Sequence, residues 1–214
     1  MRRLVIREES SVTLDHYASV PIAFEVRSVL DVSSTGATVG GFELSERVID
    51  TPYLKDYDDI DDEHPSRWMN RFNVTTWGVF AAYIDGERIG GAVVAFDTPN
   101  VRLLDGRRDL ALLWDIRVAP AVRGRGVGAA LFHAAEEWAA ERECMQLKAE
   151  TQNVNVPACS FYARHGCKLV AIDRLAYPAL PEEIQFIWCK DLPRPHRPPR
   201  RASRASGTHI PLLE

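Results

Sequence analysis

Residues 122–138 read VRGRGVGAALFHAAEEW, and the reading of this stretch decides the fold. Gly124, Gly126 and Gly128 alternate with Arg125 and Val127, Arg123 precedes them, and an amphipathic run follows. From Val127 to about Arg142 the apolar residues Val127, Leu131, Ala134, Ala135 and Trp138 share one helical stripe, and Glu136, Glu137, Glu141 and Glu143 lie mostly off it. Glycines let a backbone approach a phosphate closely. Unpaired N–H groups at a helix start, aided by the helix dipole, then bind the anion. A nucleoside-triphosphate P-loop is excluded, because no Lys-Ser or Lys-Thr follows the glycines. GRGVGA, 124–129, does satisfy the dinucleotide pattern G-x-G-x-x-[GA], with Glu150 ending the next strand. Position argues against that reading: a long stretch of β-hairpin character precedes the motif, and the residues after it are too few for a second βαβ half. The bland alternative is a tight strand-to-helix turn with solvated arginines.

Working outward, DLALLWDIRVAP is the strand entering the glycine turn and MQLKAET the strand leaving the helix. Asn155 can cap a helix over Val156–His165, which Gly166 stops. KLVAID and EIQFIWCKDL close the domain as strands. Upstream, TWGVFAAYI, Asp85-Gly86 and ERIGGAVVAFD form a hairpin, because Asp-Gly tolerates the positive φ of a tight turn. LVIR (4–7) is a first strand, and LDHYASVP (14–21) a short helix closed by Pro21. FEVRSVLDV and GGFELSERVI alternate apolar and polar residues, which fits a strand pair or a strand with a partial helix. The acidic stretch with HPSRWMNRF is an irregular loop or short helix.

The chain of 214 residues suffices for one domain with a substantial core. With 46% hydrophobic and 26% charged residues it falls in the ordinary globular class. No apolar run approaches the ~20 residues that span a bilayer. MRRLVIREESS lacks the apolar segment of a signal peptide, so a cytoplasmic protein without membrane contact is expected. Cys144, Cys159, Cys167 and Cys189 show neither C-x-x-C pairing nor zinc spacing, which predicts free or buried thiols and no metal. Net charge is −4, unevenly spread: DYDDIDDE, 56–63, is almost wholly acidic, whereas RPHRPPRRASR, 194–204, is basic. Residues 1–192 are expected to form the domain, and the Pro/Arg-rich 193–214 a disordered tail, since so little apolar surface cannot offset ordering entropy.

Arg123 to Gly128 also fits [Q/R]-x-x-G-x-[G/A], between a strand ending Val118-Ala119-Pro120 and a helix. This resembles the acetyl-CoA-binding motif of the GNAT superfamily of N-acetyltransferases. ETQNVNVPACSFYARHG, 150–166, resembles the second signature of that family: an acid ending a strand, an Asn five positions on, and F-Y-x-x-x-G. FEV (24–26), FEL (42–44), PYLKDY (52–57), ETQN and ACSFY further resemble the streptothricin acetyltransferases. The resemblance implies a single α/β domain of GNAT fold. Its sheet would be mixed, mostly antiparallel and splayed at the middle, with helices on both faces. The implied activity is N-acetylation of a primary amine with acetyl-CoA as donor.

By the same resemblance, the backbone of Gly124, Arg125, Gly126, Val127, Gly128 and Ala129 would hold the pyrophosphate, with charge from Arg123 or Arg125. Val118 would offer backbone groups, and Asn155 a side-chain bond, to the pantetheine arm. An alkyl amine of pKa ~10.4 is mostly protonated near neutrality, so the reaction needs a proton acceptor and a donor for the departing thiolate. Tyr162 is the candidate donor; its alternative is an aromatic packed beside Phe161. Glu150 is the first candidate base, as in the ribosomal-protein N-terminal acetyltransferases that this segment also resembles. Asp115 is the second, on the analogy of diamine acetyltransferases, although Trp114 stands where their first acid would be. Helix-borne His133 and His165 receive no catalytic role, and Cys159 and Cys167 lack an activating partner in sequence.

The acidic loop is either a solvated charged loop or a rim drawing a polycationic amine to the site, which Tyr53, Tyr57 and Tyr177 would line. Streptothricin-type antibiotics, polyamines and lysine side chains all fit such a rim, and the resemblance implies a small cationic acceptor of streptothricin type, acetylated directly and without a covalent enzyme intermediate. The alternatives are a protein or peptide lysine acetyltransferase, and a non-catalytic acyl-CoA-binding module whose Arg-rich tail contacts nucleic acid. The acidic net charge speaks against nucleic acid as a partner. A homodimer is left open.

Overall fold

The computed structural model describes residues 3–36, 41–60 and 62–193. In chain order these form β1 (Leu4–Glu9), α1 (Leu14–Tyr17), β2 (Phe24–Ser34), β3 (Phe42–Lys55), α2 (Pro65–Arg71), β4 (Gly78–Ile84) and β5 (Glu87–Phe96). There follow β6 (Leu110–Val118), α3 (Val127–Glu141), β7 (Gln146–Gln152), α4 (Val156–Arg164), β8 (Lys168–Asp173) and β9 (Gln185–Asp191). From residue 194 on, the expected tail lies outside the described residues. Among them no helix is long and apolar enough to cross a membrane.

Seven strands make one sheet in the order β1-β4-β5-β6-β7-β9-β8. Every neighbouring pair is antiparallel except β6 and β7, which are joined through α3 and run parallel. That parallel pairing covers only Leu110–Leu113 against Gln146–Ala149. Beyond it β6 keeps its bonds to β5 out to Val118, and β7 keeps its bonds to β9 out to Gln152, so the two strands part. The parting begins where the β5–β6 register slips between Val93 and Val94, leaving Trp114 as the extra residue of a bulge. Bulges bend a strand and raise its twist. The splayed, mixed sheet implied by the resemblance is the sheet the chain forms.

Helices cover both faces, and the strands alternate accordingly. Phe80, Ala82, Ala92, Val94, Ala111 and Leu113 pack with Val127, Leu131, Phe132, Ala135 and Trp138 of α3 and with Tyr162 of α4. Val79, Val93, Ala95, Leu110 and Leu112 point the other way, against Leu14 and Tyr17 of α1 and Trp68 of α2. Two buried faces explain why β6 reads as the nearly continuous apolar run LALLW. Gly91 has no room for a side chain, because a Cβ there would meet the Tyr17 ring at 2.4 Å and the Phe80 carbonyl at 2.7 Å.

The ambiguous segment after Pro21 resolves as a strand pair. β2 and β3 form a separate antiparallel ribbon. It is tied to the end of β7 by Leu30 N–H donating to the Asn153 carbonyl at 3.0 Å, and by a small core of Val26, Val29 and Val154. The expected helix at 14–21 shortens to the single turn of α1, followed by turn bonds from Ala18, Ser19 and Val20. α2 begins directly after the acidic stretch, capped by the His64 side chain.

Candidate active site

Where β6 and β7 part, a cleft of about 1200 Å³ opens through the sheet. Gly124, Gly126, Gly128 and Ala129 line it on the α3 side, Asn155, Phe161 and Tyr162 on the α4 side, and Trp68, Phe72 and Trp114 on the α2 side. Asp115 and Glu150 lie on the two diverging strands and line the same cleft.

The glycine loop follows from backbone conformation. Gly124 and Gly126 sit at φ +75° and +84°, which an L side chain adopts only at a cost, although an added Cβ would meet nothing within 4 Å at either. Gly126 is the N-cap of α3, and no side chain bonds into that helix start. The first backbone donors of the helix therefore remain open beside the cleft. At Gly128 a Cβ would sit 3.5 Å from the Phe161 ring, in ordinary contact.

Flanking side chains divide into those that face the cleft and those that build it. Val127 is buried in the core, so only its backbone faces the loop. Arg125 is exposed, does not line the cleft, and has no hydrogen-bond or ion-pair partner among the described residues. Arg123 lines the cleft, but its guanidinium is engaged: it donates to the carbonyls of Val118 at 2.8 Å, Ala23 at 2.9 Å and Pro21 at 3.3 Å. It thereby pins the segment between α1 and β2 to the end of β6, and it occupies one lone pair of the Val118 carbonyl. Asn155 caps α4 by accepting from Ala158 N–H at 3.1 Å, and its amide faces the Tyr57 hydroxyl at 3.4 Å.

The two candidate carboxylates are held in opposite ways. Asp115 accepts from the Tyr17 hydroxyl and, at 3.0 and 2.7 Å, from Nε and Nη2 of Arg117, so both of its oxygens are taken. Arg117, with a side chain 1% exposed, also grips Asp58 at 2.9 and 3.1 Å and the Val20 carbonyl at 3.2 Å. Burial opposes its charge, and the Asp115 and Asp58 carboxylates restore it, holding the guanidinium above its ordinary range. Glu150 is held by neutral groups only. The Tyr177 hydroxyl and the Gln185 amide (3.0 Å) both donate to Oε1, and Oε2 has no partner among the described residues.

Tyr162 is buried against Phe132 and Trp188. Burial, with the Asp115 charge next in weight, pushes its phenol well above the ordinary tyrosine value, so it stays a neutral O–H. Among the described residues that hydroxyl has no hydrogen-bond partner. Burial also pushes the Cys159 thiol up to about 12 and Cys167 up to about 11, which suits neither as a nucleophile. All four cysteines are free thiols. His133 is exposed beside Glu136 and Glu137, and His165 stacks on Phe161 with Nδ1 2.8 Å from the Phe161 carbonyl.

Tyr57 and Tyr177 line the cleft, whereas Tyr53 is exposed and outside it. From the acidic stretch, Asp58 and Glu63 reach the cleft, each bonded to an arginine, Arg117 and Arg71. Asp61 lies outside the described residues. Sequence reasoning missed the Arg117 clamp and the buried Lys55–Glu183 pair in the cleft wall. The alternation of β6, which puts Asp115 and Arg117 two residues apart on one face, was the available signal for the clamp.

A sheet opened at its middle, beside a glycine-turned helix start with open backbone donors, suits an extended phosphate-bearing ligand. The chain belongs to the acetyltransferase (GNAT) family, whose profile matches residues 45–167. It is 35% identical to an Escherichia coli streptothricin acetyltransferase over 193 residues, covering 88% of this chain and 94% of the relative. The crystal structure of nourseothricin acetyltransferase is similar with a TM-score of 0.68 at 30% identity, over 89% of this chain and 99% of that one. A Bacillus anthracis chain solved in complex with acetyl coenzyme A is similar at the same TM-score and 26% identity, over 89% of this chain and 100% of that one.

Proposed function

We propose that this protein transfers an acetyl group from acetyl-CoA to a primary amine of a small polycationic acceptor of the streptothricin type, an activity that confers antibiotic resistance. The observation that carries the reading is the pairing, across one cleft, of a carboxylate with a free oxygen (Glu150) and a neutral hydroxyl without a partner (Tyr162). The names of the E. coli and nourseothricin relatives support the acceptor class, and the Bacillus anthracis complex supports the donor.

The residues present fit acetyl-CoA. The open donors of Gly124 to Ala129 suit a pyrophosphate, with Arg125 free to add charge. The backbone of Val118 and the Asn155 amide suit the pantetheine arm. Bound acetyl-CoA supplies the thioester carbon to which the acceptor nitrogen bonds as the carbon–sulfur bond breaks. Glu150 Oε2 removes a proton from the acceptor ammonium, directly or through water, and leaves the nitrogen lone pair free. Tyr162 gives its proton to the departing sulfur and is restored by the second proton that the nitrogen loses on becoming an amide. Asp115 is the lesser candidate base, because both of its oxygens are engaged with Tyr17 and Arg117. The buried, protonated Cys159 supports direct transfer without an acyl-enzyme.

Thiol release from acetyl-CoA, with streptothricin as acceptor and spermidine and a lysine peptide as controls, tests the proposal. Release with streptothricin alone is expected. Turnover confined to the peptide would overturn the acceptor class, and tight acetyl-CoA binding without release in any arm would overturn the assignment of streptothricin as substrate.

A further inference from the structure

Glu150 differs from most other acids of the cleft. Asp58, Asp115, Glu63 and Glu183 are each bonded to a cation, whereas Glu150 is held by a phenol and an amide on one oxygen. Behind the phenol runs a continuous chain. Gln152 Nε2 donates to the Tyr177 oxygen at 2.9 Å, the Tyr57 hydroxyl donates to Gln152 Oε1, and Asn155 Nδ2 faces the Tyr57 oxygen at 3.4 Å.

The direction of this chain is set by its last member. An ionised carboxylate only accepts, so Tyr177 must spend its single proton on Glu150 and accept from Gln152. That turns the Gln152 amide nitrogen toward Tyr177 and its oxygen toward Tyr57, which must then donate. The Tyr57 oxygen is left to accept from the Asn155 amide, and Asn155 Oδ1 is left to cap α4 through Ala158. The Glu150 charge thus orders a row of groups reaching the proposed acyl-donor side of the cleft.

We propose that Tyr177 is the positioning residue of Glu150: with Gln185 it saturates Oε1, so that Oε2 alone is presented to the acceptor amine. This rests on the reading of Glu150 as the proton acceptor. Other titratable groups share this wall: Lys55 of β3 with Glu183 of the β8–β9 connection, Asp58 after β3, Asp115 and Arg117 of β6, and Tyr162 of α4. Asp173 of β8 also lines the cleft and accepts from Leu175 N–H. None of these is altered by Tyr177→Phe, which removes the bond to Glu150 and, with it, the acceptor of Gln152 Nε2.

The test is steady-state kinetics of the full-length protein with acetyl-CoA and streptothricin, alongside thermal unfolding. In Tyr177→Phe kcat should fall about tenfold, the share of one charge-assisted hydrogen bond, while the KM for acetyl-CoA keeps its wild-type value. Gln185→Met removes the other Oε1 donor, should split kcat from KM in the same way, and serves if Tyr177→Phe fails to fold. Wild-type kcat in both variants overturns the positioning role. Wild-type kcat in Glu150→Gln overturns instead the reading of Glu150 as the base.

Discussion

Replacing Gly126 separates conformation from space at the glycine loop. This residue is the N-cap of α3 at φ +84°, ψ −2°, and nothing lies within 4 Å of the Cβ it lacks. Gly126→Ala therefore meets no steric obstacle and is penalised only for the left-handed conformation, about 1–2 kcal/mol. The loop is exposed and its helix start has no side-chain cap, so the free protein can relax the strain, and the cost falls on the complex. Acetyl-CoA should then bind roughly five- to thirtyfold more weakly, at 1.36 kcal/mol per tenfold. Asparagine tolerates this conformation and valine tolerates it least, so the loss should rise from Gly126→Asn through Gly126→Ala to Gly126→Val. Gly128→Ala, outside the left-handed region, should cost less than Gly126→Ala. Titration calorimetry with acetyl-CoA, alongside thermal unfolding, reads both places the strain can appear. Wild-type affinity and wild-type unfolding for Gly126→Ala would refute the reasoning.

Tyr162→Phe should lower kcat by roughly 10²-fold or more, the range of general acid–base catalysis, and leave the acetyl-CoA dissociation constant unchanged; a parallel loss of affinity would point to a packing role instead. Asp115→Asn should destabilise the fold by about 3 kcal/mol, the low end for breaking a buried pair, because Arg117 keeps Asp58. It should leave the acid limb of the rate profile in place, and loss of that limb would make Asp115 the base. Leu131→Ala, in the fully buried stripe of α3, should cost about 2–5 kcal/mol in denaturant unfolding with no selective effect on catalysis. Because burial raises Cys144 and Cys167 to about 11 and Cys159 to about 12, those three thiols should react slowly with iodoacetamide at pH 8 until the protein is unfolded.

Features set by a few neighbouring residues were open to reading from the sequence. The Asp85-Gly86 turn, the cap of Asn155 on α4 and the stop at Gly166 are each decided within four residues, and each lies where expected. The stripe of α3 was legible because burial repeats at the period of a helix, and β4 and β5 were legible as β-rich apolar runs on either side of a turn. The segment over β2 and β3 was not, since its strands pair only with each other and β3 is largely exposed, which leaves a weak pattern.

What the sequence could not rank were residues of the same type in different surroundings. Glu150 and Asp115 read alike as strand-borne acids. They differ because Tyr17, 98 residues from Asp115, and Arg117 close both Asp115 oxygens, while Tyr177, 27 residues from Glu150, leaves one Glu150 oxygen free. Arg123 and Arg125 likewise looked interchangeable until the carbonyls of Pro21 and Ala23 captured the first. The sequence by itself determined the glycine turn, its helix and the order of strands around them, because torsional preference and burial period act over a few residues. Only the tertiary structure decided which carboxylate keeps a free oxygen and which arginine keeps a free charge, because a hydrogen bond depends on atoms within about 3 Å, whatever their distance along the chain.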